Sequence, residues 1–145
     1  MVTTIELAAA QILGCDVDDV VKEKYDIYGL DVFSGNGMEY AVGTDEQATE
    51  AAKNYIKDSA WSFRPEYIAS HTRAGASNGM IKAIRALQES CEGCNDDVLS
   101  LIEDLEEFME DIISADGRGT LLSSYDSEEQ EIVISGEMFF AYRLN

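Results

Sequence analysis

The chain has 145 residues and a formal net charge of −19, since 29 acidic residues face only 10 lysines and arginines. Such a charge opposes direct binding to nucleic acid or to anionic membranes, because contacts with phosphate groups require cations. The hydrophobic fraction of 46% is typical of a globular chain, and no apolar run approaches the length of a membrane-spanning helix. We therefore predict one soluble domain over residues 1–145, with no signal peptide and an acidic surface that attracts basic partners.

The charge is distributed unevenly along the chain. Residues 1–52 carry eleven acids and two bases, residues 53–85 carry two acids and six bases, and residues 86–145 carry sixteen acids and two bases. A mildly basic middle segment therefore lies between two acidic flanks. Two interpretations stay open: the middle segment pairs with its acidic neighbours inside the fold, or it forms a binding site for an anion.

The N-terminal residues predict two short helices. Thr3 and Glu6 form a capping box that opens a helix over residues 4–13. A second helix is predicted from residue 17 to about residue 24, because aspartates occupy its first turn. These aspartates do not form a calcium loop, since Val21 and Ile27 replace the glycine and the glutamate that an EF-hand requires.

Sequence patterns in the middle of the chain predict three further helices. Thr44 and Gln47 form a second capping box, which opens a helix that runs to about Ser62. Another helix covers residues 66–72, and a third begins near Met80. The basic segment is therefore predicted to be mostly helical.

The longest predicted helix covers residues 95–113. One face of this helix is apolar, and the charged residues of the other face are all acidic. Like charges four residues apart cost an isolated helix roughly 0.2–0.5 kcal/mol per pair. Burial of the apolar face must outweigh that cost. The apolar residues recur at steps of three and four, which places them on one side of the helix; they are Val98, Ile102, Leu105, Met109 and Ile112.

Strand patterns occur at two places in the sequence. Residues 30–33 and 38–42 form an early hairpin around an Asn36-Gly37 turn, and residues 132–134 and 138–142 are strand-like near the C-terminus. We expect these segments to pair in one small antiparallel sheet. The predicted fold is α+β, mostly helical, with this sheet packed by helices.

Histidine and cysteine are the residues most able to carry chemistry. His71 is the only histidine, and no nucleophile with an orienting group accompanies it. Cys91 and Cys94 form a C-x-x-C pair that could complete a zinc site with Cys15 and His71, but structural zinc sites more often have two such pairs. The surrounding acids also favour protonated thiols over redox chemistry. We therefore predict no metal, no cofactor and no enzymatic activity.

Three phrases of the sequence resemble small acidic proteins encoded by tailed bacteriophages. They are EYAVGTDE at residues 39–46, YIKDSAWSF at residues 55–63 and ISADGRG at residues 113–119, and the resemblance covers roughly residues 25–145. No activity is established for those phage proteins, so no catalytic residue carries over. The resemblance implies an origin in a phage or prophage and a site of action in the cytoplasm of the bacterial host.

An acidic protein of this kind suggests an inhibitor of a basic host or defence protein that handles nucleic acid, for example by mimicking DNA. Carboxylates four residues apart on a helix are about 6 Å apart, close to the spacing of phosphates along one DNA strand. A basic cleft on a nuclease, a restriction enzyme or a CRISPR effector could accept such a row. The alternative is a solvated helix face that only keeps the chain soluble. The candidate partner-binding residues are Glu103, Asp104, Glu106, Glu107, Glu110 and Asp111.

A second hypothesis is a module that binds a small anionic ligand or a metal ion through the basic segment 53–85. Under both hypotheses the oligomeric state of the protein stays open, and a homodimer is one possibility. Raised salt should weaken a charge-driven complex steeply, whereas a pocket ligand should survive better. The candidate ligand-binding residues are Lys53, Lys57, Arg64, His71, Arg73, Lys82 and Arg85.

Overall fold

The structure, a computed structural model, describes residues 1–145 and confirms the α+β fold. None of its helices is both long and apolar enough to cross a membrane. The helices are α1 (Thr4–Leu13), α2 (Asp45–Ser59), α3 (Pro65–Ser70), α4 (Asn78–Gln88), α5 (Asn95–Leu101), α6 (Leu105–Asp116) and α7 (Arg118–Leu122). The strands are β1 (Val21–Ile27), β2 (Leu30–Gly35), β3 (Met38–Gly43), β4 (Gln130–Ile134) and β5 (Glu137–Arg143).

The packing divides the chain into two compact units. The sheet unit comprises Met1–Asn54 and Asp116–Asn145, and the helical unit comprises Tyr55–Ala115. The single domain over residues 1–145 stays a prediction.

The sheet is antiparallel throughout, with the strand order β1-β2-β3-β5-β4. Two-residue turns join β1 to β2, β2 to β3 and β4 to β5, and both residues of each turn have positive φ. Positive φ at both positions defines the type I′ turn, whose twist matches that of the paired strands. Local turn chemistry therefore sets the pairing next to each turn, and in the β1–β2 hairpin an irregularity between Lys22 and Asp26 shifts the register further along. The turns are Tyr28-Gly29, Asn36-Gly37 and Ser135-Gly136.

Helix α1 covers one face of the sheet. Its capping box is confirmed, since Thr3 Oγ1 accepts a hydrogen bond from the Glu6 N–H at 3.3 Å and the Glu6 carboxylate accepts one from the Thr3 N–H. Apolar side chains of α1 pack against alternate residues of β2, β3, β4 and β5, as the period of two in a strand requires. The buried cluster consists of Ala8, Ala9, Leu13, Phe33, Tyr40, Val42, Ile132, Phe139 and Ala141.

The prediction of a second helix from residue 17 to about residue 24 is wrong, because most of this segment belongs to strand β1. Only a three-residue 3-10 turn, Val17–Asp19, precedes this strand. β1 then pairs with β2, with Val21 opposite Ser34 and Ile27 opposite Leu30. The aspartates signalled the start of a helical turn, but pairing with a neighbouring strand decided what followed.

The single helix predicted over residues 95–113 is also wrong, because α5 and α6 are separate helices. Ile102 has an extended backbone (φ −78°, ψ 121°) and pairs with Thr72 in an isolated antiparallel bridge. The N–H of Glu103 donates to the carbonyl of His71 at 3.0 Å. A hydrogen bond to a segment about thirty residues earlier therefore replaces one that would have continued the helix.

Two side-chain amides bind backbone groups at the C-terminal end of α2 and in the segment that follows it. Asn95 Oδ1 accepts a hydrogen bond from the Trp61 N–H at 3.0 Å, and Asn95 Nδ2 donates to the Lys57 carbonyl at 2.7 Å. Gln88 Nε2 donates to the carbonyls of Trp61 and Phe63 at 2.9 and 2.6 Å. Backbone groups that the end of a helix leaves without partners are satisfied in this way.

Candidate functional site

The six carboxylates predicted to bind a partner are all exposed in the helical unit, and we call them the acidic surface. Residues 95–116 contain no lysine or arginine. The side of α6 that is turned away from solvent buries Phe108, Met109 and Ile112. The acidic surface consists of Glu103, Asp104, Glu106, Glu107, Glu110 and Asp111.

The break before α6 changes the roles of two of these acids. Asp104 precedes α6, and its Oδ1 accepts a hydrogen bond from the Glu107 N–H at 3.1 Å, so it caps the helix. An aspartate three residues before a glutamate is a recognised sequence signal for the start of a helix. Glu103 lies in the extended segment, so only the four acids from Glu106 to Asp111 share one helix.

His71 connects α3 with α6 inside the helical unit. Its ring lies 4.9 Å from the Tyr67 ring and 5.2 Å from the Phe108 ring, measured between centroids. Its Nε2 is 3.6 Å from Asp111 Oδ2. The neighbouring hydroxyl, that of Thr72, donates to the Ala69 carbonyl at 2.7 Å. His71 is therefore packed between two aromatic rings, with a carboxylate of α6 close to its Nε2.

The basic residues of the alternative hypothesis occupy several elements. Arg85 forms an ion pair with Glu66 at 3.0 Å, in which both side chains are more than half exposed. Arg73 lines a groove that is described below. Lys53 and Lys57 lie on α2, Arg64 precedes α3, His71 and Arg73 follow α3, and Lys82 and Arg85 lie on α4.

The groove has a volume of about 430 Å³ and lies beside the bridge between Thr72 and Ile102. Its buried and half-buried lining is largely apolar, with Met80, Leu101 and Ile102. Its exposed lining includes two opposite charges, Arg73 and Glu103. The groove was not foreseen, because the contact between residues 72 and 102 leaves no mark in the sequence.

The cysteines are all free thiols. Cys91 is exposed, Cys94 is buried and Cys15 is half-buried. Burial raises the pKa of the Cys94 thiol, and the charge of Asp97 raises it further, so this thiol stays protonated at neutral pH. No group of three or more histidine, cysteine or acidic side chains is placed to hold a metal ion.

The sheet unit contains an ionic cluster around Arg118 that no local sequence pattern indicates. The side chain of Arg118 is 11% exposed, and it donates to Asp45 Oδ1 at 2.7 Å and to Glu129 Oε1 at 2.8 Å. Burial opposes its charge, but the hydrogen bonds to the two carboxylates raise the pKa of Arg118. The guanidinium also lies over the Phe140 ring, 4.6 Å from its centroid. The guanidinium of Arg118 donates its hydrogen bonds to acceptors within the chain, so we interpret the cluster as structural.

Tyr142 extends the cluster by donating a hydrogen bond to Glu129 Oε1. Burial, reinforced by this bond to a carboxylate, raises the pKa of Tyr142 well above its ordinary value. Above about pH 10 the unfolded chain therefore loses a proton that the folded chain retains, and the free energy of unfolding falls as pH rises.

We expect this loss to be about 1.4 kcal/mol per pH unit from Tyr142 alone. Urea unfolding of the Tyr142→Phe variant at a series of alkaline pH values should show a correspondingly shallower slope. Tyr125→Phe, which alters an exposed tyrosine, should keep the steep slope of the unaltered chain. Equal slopes in all three proteins would contradict the prediction.

Comparisons of the chain with protein-family models, with curated proteins and with solved structures find no match. The function must therefore be inferred from the surfaces described above.

Proposed function

We propose that this chain is an acidic interaction protein that binds and inhibits a basic, nucleic-acid-handling protein of a bacterial host or of its defence systems. The observation that carries the proposal is the acidic surface itself. Six exposed carboxylates lie within residues 103–111, and no cationic residue lies among them. Four of these carboxylates lie on α6, whose buried face packs inside the helical unit, so their charge is carried by a folded element.

The charge of the acidic surface is only partly neutralised within the chain. Asp111 approaches His71, and Glu106 also has an interaction within the chain. Glu107 and Glu110 have no ion pair within 4.0 Å. They are one turn apart on α6, at the spacing where side chains on a helix are neighbours. Both are therefore available to lysines or arginines of a partner.

Two further arguments support a nucleic-acid-handling target in the bacterial cytoplasm. Proteins that bind nucleic acid carry basic clefts, which attract an anionic surface by the same electrostatics that attract phosphates. The resemblance of residues 25–145 to acidic phage proteins points to a bacterial host. Under this proposal the chain and a DNA duplex compete for one cleft.

The experiment is an affinity capture from bacterial lysate with three tagged proteins. They are the unaltered chain, an acidic-surface variant, Glu107→Lys with Glu110→Lys, and a control variant, Glu46→Lys with Glu50→Lys. Each variant reverses one acid in the first turn of a helix and one further along it, α6 in the first case and α2 in the second. The net charge of the two variants is therefore identical.

We expect the unaltered chain and the control variant to retain one basic protein at low salt. The acidic-surface variant should retain at least tenfold less of it, and raised salt should release it from the other two, because exposed charges are screened within about 10 Å at 0.1 M salt. Unchanged melting temperatures would show that the substitutions leave the fold intact. Equal retention by all three proteins would contradict the role of the acidic surface, and failure of DNA to displace the partner would contradict mimicry.

A further inference from the structure

The groove in the helical unit has the size and lining of a small-ligand site. Its volume of about 430 Å³ lies within the range of about 300–1,000 Å³ that is usual for ligand pockets. Ile102 is buried, and Met80 and Leu101 are half-buried, so an apolar body placed there would be removed from water. An apolar surface of this kind favours a ligand with aliphatic groups.

Arg73 and Glu103 give the same groove two poles of opposite charge. Both side chains are exposed, yet they do not form an ion pair within 4.0 Å, and neither pairs with another charged residue. A single ligand with a carboxylate and an ammonium group would satisfy both poles at once.

The bridge holds the two segments that carry these poles side by side. Thr72 is opposite Ile102, and Arg73 and Glu103 each follow their bridged residue directly. Arg73 lies in the turn in which the Gly75 N–H donates to the Thr72 carbonyl at 3.0 Å, and Glu103 lies in the segment between α5 and α6. A ligand that contacts both charges must therefore reach from one segment to the other. Two residues of extended chain span about 7 Å, whereas both charges of a free amino acid are attached to one carbon atom.

The lining of the groove includes one residue from the first turn of α4. Met80 is the third residue of this helix, and its first turn contains no acid. Helix α4 therefore brings no negative charge to the groove that would repel the carboxylate of a ligand.

From these features we infer that the groove binds a short apolar peptide with free termini, most simply a dipeptide. Its carboxylate lies at Arg73, its ammonium group lies at Glu103, and its aliphatic side chains contact Met80, Leu101 and Ile102. The groove shares Glu103 with the acidic surface, but neither Glu107 nor Glu110 lines it, so variants at these two residues distinguish the two proposals.

The test is a titration of the full chain with the dipeptide Leu-Leu, observed through the NMR signals of the methyl groups of Met80, Leu101 and Ile102. We expect saturable shifts of these signals. Free leucine, N-acetyl-Leu-Leu and Leu-Leu amide should each bind at least fivefold more weakly, because each lacks one pole or the span between the poles.

Variants of the chain test which charged group of the ligand binds Arg73 and which binds Glu103. Arg73→Gln and Glu103→Gln should each weaken the binding of Leu-Leu at least fivefold. Glu103→Gln should not weaken the binding of N-acetyl-Leu-Leu, which has no ammonium group to lose. Lys82→Gln and Glu110→Gln, which alter exposed charges outside the groove, should leave the affinity for Leu-Leu unchanged.

Three results would overturn the inference: no saturable shift at millimolar Leu-Leu, equal affinity for leucine, or unaltered binding by both pole variants. The test is independent of the proposed inhibitor function. The variant with Glu107→Lys and Glu110→Lys should still bind Leu-Leu, so the failure of one proposal can be distinguished from the failure of the other.

Discussion

Replacing Arg118 with alanine should lower the free energy of unfolding by about 2 kcal/mol, the loss expected when hydrogen bonds between charged groups are removed from a partly buried site. The substitution leaves the Glu129 carboxylate, which is two-thirds buried, with only Tyr142 as a donor. It also removes the donor to Thr49 Oγ1 and the cation above Phe140. The contribution of Asp45 is small, because its side chain is 73% exposed and water replaces the lost contact.

Urea unfolding followed by circular dichroism measures this loss, and two variants control it. Arg85→Ala removes an arginine–glutamate pair of the same kind, Arg85 with Glu66 at 3.0 Å, whose side chains are 63% and 54% exposed. We expect a loss of less than about 1 kcal/mol there. Arg118→Lys keeps the charge but not the planar fork of donors, and it should recover only part of the stability. Equal losses in the two alanine variants would refute the structural role of Arg118.

Replacing Gly119 with alanine should also lower the free energy of unfolding by about 3 kcal/mol, the upper part of the range for overpacking. A Cβ atom at this position would lie 2.6 Å from the Ser127 carbonyl oxygen, 2.8 Å from the Glu128 carbonyl carbon and 2.9 Å from the Glu129 nitrogen. These are backbone atoms, which cannot rotate away as a side chain can. The displaced segment includes Glu129, so the Arg118 cluster is disturbed as well.

Gly79→Ala is the matched control for this substitution. Gly79 lies on α4, and a Cβ atom there would meet nothing within 4 Å. Alanine has the higher helix propensity, by up to about 1 kcal/mol, so this variant should be as stable as the unaltered chain or more stable. Urea unfolding of both variants tests the contrast in sign. A Gly119→Ala variant that matched the unaltered chain in stability would show that the segment at 127–129 yields readily.

Features whose contacts are local could be predicted from the order of the amino acids. The capping boxes at Thr3 and Thr44 join residues three positions apart, and both form as predicted. The hairpin turn at Asn36-Gly37 depends on the φ preferences of its own two residues. These local signals, together with apolar periodicity, were sufficient to predict the α+β class and the strands that make up most of the sheet.

Features that depend on residues far apart in the chain could not be predicted in this way. Ile102 leaves the helical pattern because Thr72 pairs with it, and the Arg118 cluster requires Asp45, 73 residues earlier in the chain. The apolar spacing of residues 95–113 is compatible with one helix or with two, because periodicity records which side is buried and not whether the backbone continues. The groove between Arg73 and Glu103 exists only because that backbone turns aside to form the bridge.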